Sequence, residues 1–506
     1  MGLWLEPSPG RLGGPPGRGP RRFCGDSDAC GSFGFFHGSV PFLTNFAWPT
    51  QATGTRIVVS IAADVFSSKP REEPVIWNAL NSNAPSTELL ISIMRRATAV
   101  IGRRTLSTTS HDVVVCGGGV VGSSVALHLR ARRPDLRVTV LERDQTYAAA
   151  SAPLSAGGIR QQFTTPANVQ LSCYGAQFLR EGLALLSNQD PREVRDRIQF
   201  REAGYLTLAS ESGASSLREN VAIQHAGGAD WIDLLDPTQL RSEFPWLSVD
   251  GVGLGAFGRK NEGYFDPWGL LDALRRGAKA LGVQYMSGEA SSLKVDAGRV
   301  ASVALRDGSF LTCGLVVNAC GAHASVLTPS LPIAPRKRCI FAISCPEGDL
   351  VRPPGNAPLV VDVSGCYFRG DGSSGRYLCG ASPKGADPDC DVDALETVDH
   401  SLFEEVIWPA LYERVPAFEA LRVESSWAGL YEFCTLDQNA VVGWHPDAAN
   451  LVVAAGFSGH GLQHAPGVGR AVAELIDSGG YESIDLGCLD YGRVLRDAPL
   501  FEANVW

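Results

Sequence analysis

Hydrophobic and polar positions fall into a regular order only from about residue 111 onward. His111–Cys116 (HDVVVC) is a nearly unbroken apolar run of strand length, which predicts a buried strand, and Val120–Arg132 reads as the helix that follows it. Residues 137–141 (RVTVL) predict the next strand. Asp236-Pro237 and Asp266-Pro267 each set a capping acid before a proline suited to a first helical turn, predicting helices through about Phe244 and Leu281. Residues 300–305, the turn Arg306-Asp307-Gly308-Ser309 and Phe310–Asn318 predict a hairpin whose second strand is buried. Farther on, 359–363 and 376–379 read as strands, 400–414 as a helix, and Leu451–Ala455 as a strand entering a helix over 461–476. No internal repeat is visible. Residues 1–93 carry no sustained period, and their first fifty are rich in Gly and Pro, so they are expected to be poorly ordered.

One turn in this pattern carries specific chemistry. Gly117, Gly119 and Gly122 form GxGxxG between the first buried strand and its helix, and Glu142 ends the following strand. Gly117 permits the tight turn, Gly119 lets backbone N–H groups approach a pyrophosphate, and Gly122 lets helix and strand pack closely. The helix N-terminus supplies the positive end of its dipole, and Glu142 can accept from ribose hydroxyls while repelling a 2′-phosphate. The motif predicts a dinucleotide site and disfavours NADP, but by itself it does not separate FAD from NAD.

Composition narrows the partners. The 506 residues carry a net charge of -10, which argues against a phosphate-binding face and hence against nucleic acid. Thirteen cysteines without a CxxC pair, several of them inside apolar runs (Cys116, Cys313, Cys320 and Cys379), fit a reducing compartment. No apolar stretch reaches the roughly 18 residues of a membrane-spanning helix, so any membrane association is expected to be peripheral. Residues 94–110 (MRRATAVIGRRTLSTTS) combine four arginines, hydroxyl residues and no acid, the composition of a mitochondrial presequence. An import signal must be N-terminal, so Met94 is expected to be the working start and 1–93 an over-extended gene model; the plainer alternative is a basic linker.

Further segments bear a resemblance. Ala150-Ser151 through Gly157-Gly158, the run Gly263 to Pro267, Val316 to Ala322, Trp427-Ala428-Gly429, and above all Gly456-Phe457-Ser458-Gly459-His460-Gly461 are similar to the flavoproteins of the D-amino-acid oxidase, sarcosine oxidase and dimethylglycine dehydrogenase group, from about His111 to Asp485. The resemblance implies an α/β fold with a Rossmann-type FAD-binding lobe interleaved with a mixed-sheet substrate lobe. It implies FAD as cofactor, with contacts from Ser151, Gly157, Gly158, Gly321, Gly459, His460 and Gly461. Gly459 and Gly461 suit a close backbone approach to a flat ring, and the helix they open would aim N–H groups at the flavin edge where reduction places negative charge; they also suit a plain strand-to-helix turn. Some relatives tether flavin through His or Cys in the segments matching ASAPLSAGG and WAGLY. Neither residue occurs there, so FAD is expected to be held non-covalently, with nearby Cys434 read as structural.

Sarcosine oxidases place a Lys where this chain has Gln463, and a neutral amide cannot supply their charge-assisted bond to a substrate carboxylate. Arg160 and Arg369 are then candidate carboxylate partners or structural cations. Tyr367 and Tyr431 are candidates for a pocket over the flavin, and His460 for a proton carrier or a turn-holding donor. No metal constellation is apparent. A closer likeness, in residues 155–163, 335–338, 367–369 and 457–461, is to a mitochondrial branch of the family implicated in respiratory complex I assembly. It implies a matrix location and complex I subunits or assembly intermediates as partners. The expected function is thus FAD-dependent oxidation in mitochondria, serving complex I assembly, with an active amine or amino-acid dehydrogenase without an assembly role as the alternative.

Overall fold

The computed structural model describes residues 111–383, 385 and 387–502, together with three short strands, Leu3–Glu6, Leu43–Pro49 and Arg56–Ala62. Those strands form one antiparallel sheet with Arg56–Ala62 in the middle, inside a compact unit Met1–Arg103; the second unit is Arg104–Trp506. The rest of the 1–93 extension and the whole presequence-like stretch lie outside the described residues.

The second unit is built on two eight-stranded sheets. In the first, His111–Cys116 runs parallel between Val138–Glu142 and Phe310–Asn318, and Gln284–Ser287 extends the sheet beyond Val138–Glu142. The last residues of Phe310–Asn318 pair with Leu451–Ala455, also parallel, and Val441–Trp444 closes that edge antiparallel. The opening residues of the same long strand pair instead with Arg299–Leu305, forming the expected hairpin, which Ala290–Asp296 extends. Val113, Val114 and Val115 are wholly buried, as a strand covered on both faces requires, each side chain contributing about 1.5–3 kcal/mol by burial.

The second sheet runs in the order Arg422–Cys434, Ile333–Ser344, Arg376–Ala381, Cys366–Gly370, Leu359–Val361, Tyr205–Ala209, Leu254–Gly258, Ile232–Leu235. It is antiparallel except where Leu359–Val361 meets Tyr205–Ala209, and it has its own apolar core around Phe341, Phe368, Tyr377 and Phe418. Its strands fall between those of the first sheet in the chain, so the lobes interleave as the resemblance implies.

Helices Val120–Arg132 and Gly461–Ser478 lie against each other closely enough that a Cβ on Gly469 would stand 2.2 Å from Ser124 Oγ. Both follow a parallel strand of the first sheet. The capped helices appear as Pro237–Glu243 and Pro267–Ala280, with Asp236 and Asp266 accepting from first-turn N–H groups. The helix expected over 400–414 is modified: Phe403–Ile407 is a π-helical turn between His400–Leu402 and Trp408–Arg414. Buried Phe403, Ile407 and Leu411 recur every four residues, and a wider turn offsets the drift that a 3.6-residue helix would impose on that spacing.

Candidate functional site

The turns leaving the C-terminal ends of the three central parallel strands, after Cys116, Asn318 and Ala455, converge on two adjoining cavities of about 550 and 230 Å³. This is where open α/β sheets bind ligands. The cavities share Val120, Val121, Ser151, Ala152, Leu430 and Glu432, so they are two compartments of one elongated slot. The larger takes in Gly117, Gly119, Glu142, Ser151 and Gly321. The smaller takes in Ser151, Gly157, Gly158, Gly459, His460 and Gly461, together with Arg160, Tyr367, Tyr431 and Gln463. Gly122 and Arg369 line neither.

At the nucleotide end the three motif glycines have separable reasons. Gly117 sits at φ +96°, and a Cβ there would stand 2.2 Å from the Ala319 carbonyl oxygen of the neighbouring strand's turn. At Gly122 it would stand 1.9 Å from the Gly117 carbonyl, which fits helix-to-strand packing and explains why this residue stays outside the slot. Gly119 has ordinary extended dihedrals, φ −63° and ψ −171°, and nothing within 4 Å of a Cβ; its Cβ direction opens into space on the slot wall. Glu142 braces the loop, accepting from Gly118 N at 2.7 Å and from Asp144 N at 2.9 Å, and stands on the wall of the larger compartment. A two-compartment slot, an uncapped helix N-terminus and an open glycine are what a pyrophosphate-linked dinucleotide needs.

At the other end, the turn Gly456–Gly461 bends sharply enough that Gly456, Ser458 and Gly459 are all left-handed. A Cβ on Gly459 would overlap the Tyr431 ring, 2.3 Å from Cε2. Tyr431 donates its hydroxyl to the Ser458 carbonyl, which fixes the ring beside the turn. Burial raises the phenols of Tyr367 and Tyr431 above the ordinary range. His460 caps helix Gly461–Ser478; burial, then the Arg160 charge, hold its pKa well below the usual value, against a hydrogen bond to the Phe457 backbone. It is therefore neutral near pH 7, and Nε2 accepts from Arg160 Nη2 at 3.1 Å. That arrangement suits a positioning role better than a proton carrier that titrates near pH 7.

Arg160 is buried. Its Nη1 donates to the Gln162 carbonyl, its guanidinium lies 4.3 Å from the Phe163 ring centre, and its backbone N–H donates to Gln463 Oε1 at 2.8 Å. Gln463 thus reaches the cavity wall with its carbonyl oxygen already engaged. Arg369 is turned away from the slot, donating to the carbonyls of Ala156 at 2.6 Å and Gly370 at 2.7 Å and stacking on Tyr264.

Four residues of the site have no short-range signal in the sequence. Tyr205 and Arg338 reach the smaller compartment from the second sheet. Glu432 stands between the compartments beside Gly461, accepts from Gly456 N at 3.0 Å, and is pushed up to about 7 by burial. Glu262, wholly buried behind Arg160, accepts from Gln161 N at 2.6 Å and Gln162 Nε2 at 2.7 Å; burial lifts its carboxyl to about 7 against those bonds and the Arg160 charge. Among the described residues no His, Cys, Asp and Glu group is gathered to hold a metal ion, and no helix is long and apolar enough to cross a membrane.

The family model described as FAD dependent oxidoreductase matches residues 112–475, well over half of the chain. The chain belongs to this family of flavoproteins. FAD-dependent oxidoreductase domain-containing protein 1 of Xenopus laevis is 44% identical to it over 433 residues, 78% of this chain and 84% of that protein. The 4-methylaminobutanoate oxidase (formaldehyde-forming) of Paenarthrobacter nicotinovorans is 26% identical over 397 residues, 74% of this chain and 46% of that protein. Among solved structures, L-proline dehydrogenase from P. horikoshii aligns with TM-score 0.66 and 26% identity, over 78% of this chain and 100% of that one. FAD is the cofactor of this family, and the slot fits it: Gly119, the N-terminus of Val120–Arg132 and Glu142 would hold its dinucleotide end and the Gly459–Gly461 turn its ring end. The two stretches where tethers occur in relatives carry neither His nor Cys, and Cys434 is buried with its Sγ 3.4 Å from Asp437 Oδ1.

Proposed function

We propose that this family member oxidises a carbon–nitrogen bond in a small secondary or tertiary amine that also carries a carboxylate. The observation that carries the reading is the smaller compartment. It is compact and lined by Tyr205, Tyr367 and Tyr431 together with Arg160, His460 and the start of helix Gly461–Ser478. Two relatives support the substrate class by name, since proline and 4-methylaminobutanoate are both secondary amines bearing a carboxylate. Bound FAD supplies the hydride acceptor. The three aromatic side chains would lower the polarity beside the reacting face and limit the approach of water there. The Arg160 cation disfavours an ammonium beside it and so selects the free amine, whose lone pair assists C–H cleavage. Neutral His460 adds no second positive charge.

The test is anaerobic: the purified holoprotein is mixed with proline, N-methyl amino acids of increasing length and neutral amines, and the visible absorbance of the oxidised flavin is followed. Bleaching by at least one amino acid of the set is expected. A flavin that stays oxidised with every member rules the substrate class out. A second reading, a mitochondrial part in respiratory complex I assembly with flavin chiefly structural, is favoured by one feature of the site: Gln463 Oε1, the Arg160 guanidinium and the Tyr431 hydroxyl are all engaged within the protein. Normal levels of assembled complex I in cells depleted of the protein would remove that reading.

A further inference from the structure

We infer that Arg338 is the carboxylate-binding group of this site and that Asp387 holds its place until a substrate acid displaces it. The inference rests on the amine-acid reading above and names the residue that would recognise the acid. Three guanidiniums lie in or near the smaller compartment. Arg160 is committed to Gln162 and His460, and Arg369 faces the carbonyls of Ala156 and Gly370 outside the lining. Arg338 lines the compartment, and its Nη1 and Nη2 donate to the two carboxylate oxygens of Asp387 at 2.8 and 2.9 Å. Its guanidinium lies over the Tyr431 ring at 4.4 Å, which fixes the plane of the fork at the cavity wall. Its Nε is buried and has no hydrogen-bond partner among the described residues.

That geometry is the one a planar acid requires, two parallel N–H···O bonds on one fork. The present acid comes from the protein's own acidic segment around Asp387 and Asp389, which lies outside the strand that carries Arg338 and lines neither compartment, so the acid is held at the edge of the site. The pair is partly accessible, with side chains 16% and 22% exposed, and exchanging one carboxylate for another conserves its charge and its hydrogen bonds. Departure of Asp387 does not strand the neighbouring cation. Arg336 Nε is 3.7 Å from Asp387 Oδ2, but Arg336 Nη1 also pairs with Asp389. The ring end of FAD would share this compartment of about 230 Å³, so the incoming acid must be small.

The test uses 2-furoate and its neutral counterpart 2-furamide as probes, with binding to the holoprotein read by calorimetry and by the shift of the flavin spectrum. Variants are compared only at wild-type flavin stoichiometry, which sets aside misfolding. Asp387→Asn should tighten 2-furoate about three- to ten-fold relative to 2-furamide, because a weaker competitor occupies the fork. Arg338→Gln should weaken 2-furoate by about ten-fold or more, and Arg338→Lys, a point charge without a fork, should fall between. A furoate-to-furamide ratio unmoved by Arg338→Gln, or a wild type that does not bind 2-furoate, overturns the inference. If amines bleach the flavin while that ratio ignores both residues, the carboxylate site falls and the proposed oxidation stands. If no amine bleaches it but 2-furoate follows both residues, the oxidation falls and the site stands.

Discussion

Replacing Gly119 with valine should give a folded protein that no longer holds FAD. The two halves of this expectation come from different features of one residue. Gly119 has φ −63° and ψ −171°, dihedrals open to any L-residue, and no atom within 4 Å of a Cβ, so the polypeptide loses little beyond a weaker helix cap, about 1 kcal/mol. The added side chain projects into the nucleotide compartment at the N-terminus of Val120–Arg132, where the pyrophosphate must approach the backbone N–H groups. Gly122→Val should behave oppositely. Its Cβ would meet the Gly117 carbonyl at 1.9 Å, so helix and strand must part and the fold itself fails. Circular dichroism and the ratio of flavin to protein separate the two: Gly119→Val should keep its helical signal with about a tenth or less of wild-type flavin, which at near-saturating FAD is an affinity loss of about a hundred-fold, at least ~2.7 kcal/mol. Stoichiometric FAD in Gly119→Val would mean that the pyrophosphate passes elsewhere.

That contrast also shows which information is local in this chain. The strand His111–Cys116, helix Val120–Arg132 and acid Glu142 are legible because a buried parallel strand, a glycine turn and a helix cap each impose residue types within a few positions of one another. The capped helices after Asp236 and Asp266 are legible for the same reason. The lining of the ring compartment is not. Tyr205 and Arg338 enter it on strands more than a hundred residues apart in the chain, and nothing in the local pattern of YLTLA or IAPRKRCIFAIS announces which face of a mixed sheet will meet the slot. Arg369 illustrates the converse. Its segment resembles a substrate-facing one, yet the side chain turns to the carbonyls of Ala156 and Gly370, and only the course of residues 150–158 beneath it decides that. Glu262 gave no signal because a buried carboxylate is recognised by the backbone N–H and amide groups that surround it, here Gln161 and Gln162, about a hundred residues earlier.

Gln463 is where resemblance and geometry lead to different expectations. A lysine there, as in sarcosine oxidases, would by resemblance restore a carboxylate partner; in this protein Gln463→Lys should instead lower both stability and flavin content. Gln463 is 5% exposed, and its Oε1 accepts the Arg160 backbone N–H at 2.8 Å. Lysine has no acceptor, so that buried N–H is left unsatisfied at about 1–3 kcal/mol. Its ammonium would also lie in the wall that Arg160 already makes positive, beside two imidazoles, His460 and His464, held neutral by burial and by that charge. An unpaired buried cation costs about 3–5 kcal/mol where it cannot reach water, and the two effects overlap, so a net loss of about 4 kcal/mol is expected. Gln463→Glu keeps an acceptor for the Arg160 N–H and brings a charge opposite in sign to that residue's, so it should stay close to wild type. Thermal unfolding with and without added FAD, read together with the flavin-to-protein ratio, distinguishes the variants: lysine should lower the midpoint by several degrees (about 5 °C or more) and glutamate by no more than about 2 °C. A lysine variant as stable as wild type, fully flavinylated and newly able to oxidise sarcosine would show that Gln463 addresses the substrate and that its bond to Arg160 is dispensable.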